Sequence, residues 1–232
     1  MNQTVAQEMR IGGTLVNAAD RVLYIPLGPQ VGLAAVLKRL LDMILALCIL
    51  MVFLPLIIGI SVAIILESGW PVFFCQKRVG HNGRKFTVYK FRSMCRDADK
   101  LLPELKQHNL IQDGPIFKWK NDSRITKVGR FLRRTSLDEL PQLWNVLLGN
   151  MSLVGPRPPL ETEVFEYESW QLRRLAVKPG MTGLWQVSGR SNLGFVQMVS
   201  LDIDYVNYWS VWRDLALLAK TPLAVITARG AY

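Results

Sequence analysis

The chain carries 232 residues in 26.3 kDa, half of them hydrophobic, with 28 Lys+Arg against 18 Asp+Glu for a net charge of +10. This length holds one catalytic domain with a short anchor and excludes two full domains. Such apolarity beside such charge excludes both a polytopic transporter and an ordinary soluble enzyme; the basic excess asks for anionic lipid or a phosphorylated substrate. Nucleic acid is a poor partner, because the basic residues are scattered between apolar blocks and no nucleic-acid-binding motif appears. The three cysteines, Cys48, Cys75 and Cys95, have no metal-type spacing and point to a reducing compartment. His81 and His108 have no nucleophile or second histidine nearby, so chemistry is expected to run on carboxylates.

Residues 1–36 read as a flexible N-terminal tail; the opening is polar, mixed in charge and without the apolar core of a signal peptide. Residues 37–68 read as a membrane helix. Between 40 and 66 only Asp42 and Ser61 are polar, and at about 1.5 Å per residue this run is long enough to cross a bilayer core. Pro55 lies in its middle and removes a backbone hydrogen bond. Both flanks are basic, with Lys38 and Arg39 before it and Lys77, Arg78, Arg84, Lys85, Lys90 and Arg92 after it, so both ends prefer the cytoplasmic side. A helix kinked at Pro55 that re-enters the same leaflet meets both conditions; an ordinary spanning helix with a tolerated proline is the alternative. Asp42, spaced to meet Lys38 and Arg39, is expected to be paired at the level of the headgroups.

Residues 69–232 read as a cytoplasmic catalytic domain with interfacial helices. Residues 72–78 and 84–91 are strand-like, with a turn at Gly80-His81-Asn82-Gly83. The hairpin's cations, Lys77, Arg78, Lys90 and Arg92 among them, either face a ligand or guard a solvated edge. A helix is expected over 97–112, then a basic stretch over 117–134, a helix over 139–148, a stiff loop Gly155-Pro156-Arg157-Pro158-Pro159, and helices over 161–175 and 200–228. Trp185, Tyr205, Tyr208, Trp209 and Trp212 suit either a membrane boundary or a core. The last helix is either amphipathic on a surface or buried. The fold class is α+β, mainly helical.

Asp138 and Glu139 are adjacent and follow Arg133 and Arg134. Carboxylates beside guanidinium groups stay ionised, so one could attack phosphorus and the other hold a hard divalent ion. Ser136-x-x-Glu139 also fits a capping box, although Pro141 would then strain the new helix at its fifth position. Arg157, stiffened by prolines on both sides, suits a phosphate or a plain surface turn, and Arg190 after Gly189 has the same two uses.

Several segments together resemble the bacterial sugar transferase family, the monotopic polyprenyl-phosphate phosphoglycosyl transferases, in particular the small enzymes that begin exopolysaccharide repeat units. They are Lys38-Arg39-x-x-Asp42, Gln76-Lys77-Arg78-Val79-Gly80, Tyr89-Lys90-Phe91-Arg92-Ser93-Met94, Lys120-Asn121-Asp122-x-Arg124-Ile125-Thr126, Leu132-Arg133-Arg134-Thr135-Ser136-Leu137-Asp138-Glu139-Leu140-Pro141-Gln142, Asn150-Met151-Ser152-Leu153-Val154-Gly155-Pro156-Arg157-Pro158 and the run from Lys178 to Arg190. The resemblance implies a helix bent at Pro55, in some relatives preceded by Ser where this chain has Leu54. It implies that Asp138 attacks the β-phosphorus of a UDP-hexose, glucose or galactose, releases UMP and passes the phosphosugar to polyprenyl (undecaprenyl) phosphate. It further implies Mg²⁺ held by Glu139 with Asp138, phosphate contacts from Arg157 and Arg133, and a site at the cytoplasmic face of the bacterial inner membrane. The neighbouring cations Arg134, Lys90, Arg92, Arg190, Lys77 and Arg78 complete the expected phosphate-binding set. The lipid bilayer is an expected partner, and a homo-oligomer is left open.

Overall fold

The computed structural model describes residues 13–18, 21–26, 28–98, 100, 122–189 and 193–227. Most of the helix expected over 97–112, residues 117–121 of the basic stretch, and Arg190 lie outside the described residues.

The apolar run forms one helix, α1 (Gly32–Ser68), of 37 residues with Pro55 inside it and no break in its helical assignment. It is the one described helix long and apolar enough to cross a membrane, by length and composition. Its two ends are held by the same globular body, whereas its middle is bare: Met51 is 67% and Val52 73% exposed.

The first end is held by charges. Lys38, only 5% exposed, donates to Asp214 (2.6 Å) and to the Val154 carbonyl (3.2 Å). Asp42 accepts the Leu153 N–H at 3.1 Å, and Arg39 donates to the Val146 and Leu147 carbonyls at the end of α3 (Gln142–Leu148), where the helix dipole favours a cation. The basic flank expected among headgroups is therefore spent on internal bonds. Burying those cations is tolerable because each finds an acceptor. At the far end, Ile60 and Ile64 pack on Val72, Phe91 and Leu132. There Glu67 accepts the Lys127 and Val128 N–H groups (2.8 and 3.0 Å), capping α2 (Lys127–Thr135).

Among the described residues, three two-stranded sheets accompany the helices. Within the stretch expected to be a flexible tail, β1 (Gly13–Ala18) and β2 (Arg21–Pro26) form an antiparallel hairpin, and Ile25 is buried. The second hairpin pairs β3 (Phe73–Val79) with β4 (Lys85–Phe91), within a residue of the expected strands, around a turn in which Asn82 has φ 53°. Its register sets Arg78 opposite Phe86 and Phe74 opposite Lys90, so Arg78 and Lys90 share a face while Lys77, opposite Thr87, lies on the other. A parallel pair, β5 (Ser152–Val154) and β6 (Gly180–Thr182), lies so close to the loop after β5 that a Cβ on Gly180 would sit 2.0 Å from the Gly155 nitrogen.

The helix expected over 161–175 is two pieces, α4 (Glu161–Phe165) and a 3-10 segment Gln171–Ala176. The Gln171 side chain takes the Glu168 N–H and starts the second piece afresh. After α5 (Leu184–Ser188), the expected terminal helix is also two, α6 (Phe195–Asn207) and α7 (Val211–Ile226), with Ser210 capping the second through the Arg213 N–H. The main core gathers Leu143, Val146, Met151, Val154, Val199 and Tyr205, so α3, β5 and α6 are one packed unit; Trp185 joins it, whereas Trp212 and Tyr208 are exposed.

Candidate active site

Helix α2 carries Arg133 in its last turn and ends at Ser136, whose φ of 57° places it in the left-handed region. A 3-10 turn, Leu137–Glu139, follows directly. Leu137 and Leu140 pack on the core beneath α1, which leaves Asp138 and Glu139 at the rim. The capping box read at Ser136-x-x-Glu139 does not form: the Ser136 side chain makes no cap bond, and only its carbonyl accepts the Glu139 N–H, at 3.3 Å. The chain is already turning at Ser136 to close α2, so only the 3-10 turn and no α-helix starts there. Nor does Pro141 strain a helix. It stands immediately before α3, where a missing N–H costs nothing.

Cations converge on the carboxylate pair from separate segments. Lys90 reaches across from β4 and pairs with Glu139 at 2.5 Å. Arg133, half-buried, donates through Nε to the Ser93 hydroxyl at 2.9 Å and faces Asp138. Gly129 allows this approach, since a Cβ there would sit 2.0 Å from the Ser93 carbonyl oxygen. Arg157 and Arg78 lie within electrostatic reach of Glu139.

The Arg157 loop is held by its carbonyls, because its prolines have no N–H to offer. Pro156 accepts from Gly180 N (2.9 Å), Arg157 from Arg174 (3.4 Å), Pro158 from Arg78 (3.1 Å) and Pro159 from Val79 N (2.9 Å). The Arg157 side chain is gripped by Glu163 at 3.2 Å. Behind it, Arg174 is buried with Tyr167 and Asp202, donating to both. Ser93 and Gln142 fall inside the segments that carry the family resemblance, with no role read for either; Glu163, Arg174 and Asp202 carry no signal in the sequence that ties them to the site.

The two carboxylates titrate apart. Burial and the neighbouring Glu139 push Asp138 up to about 6, against the pull of Lys90 and Arg133. Burial acts on Glu139 as well, but there the Lys90 ion pair, Arg157 and the Gln142 side chain outweigh it and hold the carboxyl below its ordinary value. Both groups are thus ionised at neutral pH, Glu139 by a wide margin and Asp138 by a narrow one, because at Asp138 lost solvation outweighs the neighbouring cations. Both groups are half-buried, and Glu139 keeps 36% of its side chain exposed, so a small anion can reach them. Arg78 is pushed down to about 9 by burial and by Arg157 beside it.

The structure thus brings together Asp138, Glu139, Lys90, Arg133, Arg157 and Arg78. It does not bring in Arg92, which points to the end of α1 and donates to Ser68 (2.7 Å) and the Gly69 carbonyl. Lys77 and Arg134 are exposed, and neither side chain makes a hydrogen bond or ion pair among the described residues. Pro55 lies in the bare middle of α1.

The molecule is thus a globular body with a carboxylate pair ringed by cations, fastened to both ends of a bilayer-length helix. The family model described as bacterial sugar transferase matches residues 33–228. A galactosyl transferase, CpsE, of Streptococcus agalactiae is 51% identical over 71% of this chain and 37% of its own length. An undecaprenyl-phosphate galactose phosphotransferase of Salmonella typhimurium is 46% identical over 84% of this chain and 42% of its own. The exopolysaccharide production protein ExoY of Rhizobium meliloti is 41% identical over 84% of this chain and 88% of its own. The chain therefore spans about two fifths of the first two relatives and most of the third. It belongs to the bacterial sugar transferase family.

Proposed function

We propose that this protein transfers a hexose-1-phosphate, of glucose or galactose, from a UDP-sugar to polyprenyl (undecaprenyl) phosphate through a covalent aspartyl-phosphosugar, as the first membrane step of exopolysaccharide or related glycan assembly. The observation that carries this is the convergence of Lys90, Arg133, Arg157 and Arg78 on Asp138 and Glu139. A membrane-docked basic module without catalysis needs no such convergence. In the first step an Asp138 oxygen attacks the β-phosphorus. The bond from that phosphorus to the bridging oxygen breaks, and UMP leaves with the electron pair. In the second, an oxygen of polyprenyl phosphate attacks the same phosphorus and returns Asp138 to its carboxylate. The cations spread the phosphate charge, which is where phosphoryl transfer gains most of its help.

Mg²⁺ fits this donor set as an ion that comes with substrate. No group of three His, Cys, Asp or Glu that could hold a metal occurs among the described residues, while Mg²⁺ is commonly held by one or two carboxylates and the phosphates themselves. Glu139, held ionised, with Asp138 beside it, would hold the ion, which supplies neutralisation of the diphosphate. The decisive test is incubation with UDP-glucose or UDP-galactose and Mg²⁺ without lipid acceptor. UMP should appear, and intact-mass analysis should find protein heavier by one hexose phosphate. Turnover with acceptor but no such adduct would replace this scheme with direct transfer.

The helix is proposed to re-enter the cytoplasmic leaflet of the inner membrane, bending at Pro55. A single compact body binds both ends of α1, through Lys38 and Arg39 at one and Glu67 and Ser68 at the other, and one body cannot stand on both sides of a bilayer. An impermeant maleimide applied to intact spheroplasts should label neither a cysteine introduced at Val31 nor the exposed Cys95 until the membrane is opened. Labelling of one but not the other from outside means a spanning helix.

A further inference from the structure

Arg78 and Arg157 come from segments about eighty positions apart, yet Arg78 bonds the carbonyl of the residue after Arg157, and Arg157 lies close enough to disfavour the charge on Arg78. Two half-buried guanidinium groups do not stay together unless something offsets the repulsion. Glu163 stands beneath them. It is 2% exposed, and both its oxygens contact Arg157 Nη1, at 3.2 and 3.4 Å. It also favours the charged form of Arg78. Its third tie is to its own element: Oε2 accepts the Leu160 N–H at 3.0 Å, at the start of α4. Glu163 is thus fixed by backbone before it meets either arginine. Arg78 in turn braces the loop by donating to the Pro158 carbonyl at 3.1 Å.

We propose that Glu163 is the counter-ion that lets Arg78 and Arg157 stand side by side, and thereby a positioning residue for recognition of the nucleotide diphosphate. This rests on the transferase reading above. One negative charge under two positive ones leaves a net single positive charge facing outward, and it aims Arg157 by occupying one of its nitrogens while leaving the others for phosphate oxygens. Glu163 makes no contact with substrate in this scheme; it acts through Arg157.

The test is a double-mutant cycle on the full chain in detergent or nanodiscs, with UDP as the probe and affinity read by calorimetry. Glu163→Gln keeps the size of the side chain and its bond to the Leu160 N–H, but removes the charge. It should weaken UDP binding roughly 10-fold, the scale of coupling between residues in contact. In an Arg157→Ala background the same change should cost less than about twofold, and Glu163→Asp, which keeps the charge, should recover part of the loss. Equal weakening in both backgrounds would make Glu163 a structural residue only and overturn the proposal, as would full UDP affinity in Glu163→Gln. Should Arg157→Ala itself leave UDP affinity unchanged, the phosphate role of Arg157 falls, and the inference falls with it.

Discussion

Asp138→Asn will abolish adduct formation and transfer, with a loss on the order of 10⁴-fold or more, as for removal of a covalent nucleophile. The amide has no anionic oxygen to form the acyl phosphate, while the shape of the side chain and its neighbours are kept. UDP-sugar binding and membrane association should persist, because Lys90, Arg133, Arg157 and α1 are untouched. The fold should not suffer. A carboxyl pushed up to about 6 binds its proton more tightly folded than unfolded, so its ionisation opposes folding as pH rises through that range. At pH 7 Asn therefore leaves thermal stability unchanged or raises it. The same shift sets the pH dependence of the wild type. Below about 6 Asp138 is protonated and no longer a nucleophile, so single-turnover adduct formation should fall as pH drops through that value. Wild-type turnover in the Asn variant would remove Asp138 from the mechanism.

The largest effect on stability is expected at Asp214, far from the chemistry. Asp214 accepts from Lys38 at 2.6 Å, the Tyr205 hydroxyl at 2.7 Å and the Trp209 indole at 3.1 Å, and is itself buried. Asp214→Ala leaves the buried Lys38 ammonium group with the Val154 carbonyl, which it shares with Tyr205, and with the Asp42 carboxylate 4.0 Å away, and it leaves the indole without its acceptor. Removing one member of a buried pair costs about 3–5 kcal/mol. The change should appear as a lowered unfolding midpoint in detergent and as earlier proteolysis between α1 and the body. Replacing both charges, Lys38→Met with Asp214→Leu, should restore part of the loss, because the ion pair is removed as a unit while buried Asp42 loses Lys38 and keeps the Leu153 N–H. A cost below about 1 kcal/mol for Asp214→Ala would mean that this cluster does not hold the start of the helix.

The basic flank of α1 shows how one residue type supports two expectations. Lys38 and Arg39 precede a long apolar run, and from composition alone they suit a headgroup layer. Their partners lie more than one hundred positions away, in α3, β5 and α7, and nothing local announces them. The Asp138-Glu139 pair is the converse. Its chemistry is visible in the seven consecutive letters from Arg133 to Glu139, yet whether it caps a helix depends on the conformation of Ser136, which tertiary packing of Leu137 and Leu140 selects. The long helices expected over 161–175 and 200–228 fail at Glu168 and Ser210, where a side chain captures a backbone N–H and restarts the turn.

By itself the sequence determined the apolar helix, the strands of the second hairpin and the identity of the carboxylate pair. Hydrophobic period, turn residues and charge neighbours act over a few positions and can be read there. The tertiary structure alone decided which cations serve that pair. Lys90 and Arg78 turn toward it and Lys77 away because of strand register; Arg92 is spent on the end of α1; and Glu163 and Asp214 become counter-ions through contacts that only folding creates. Charge is a property of a residue, but whether it meets water, lipid or an opposite charge depends on what the rest of the chain brings beside it.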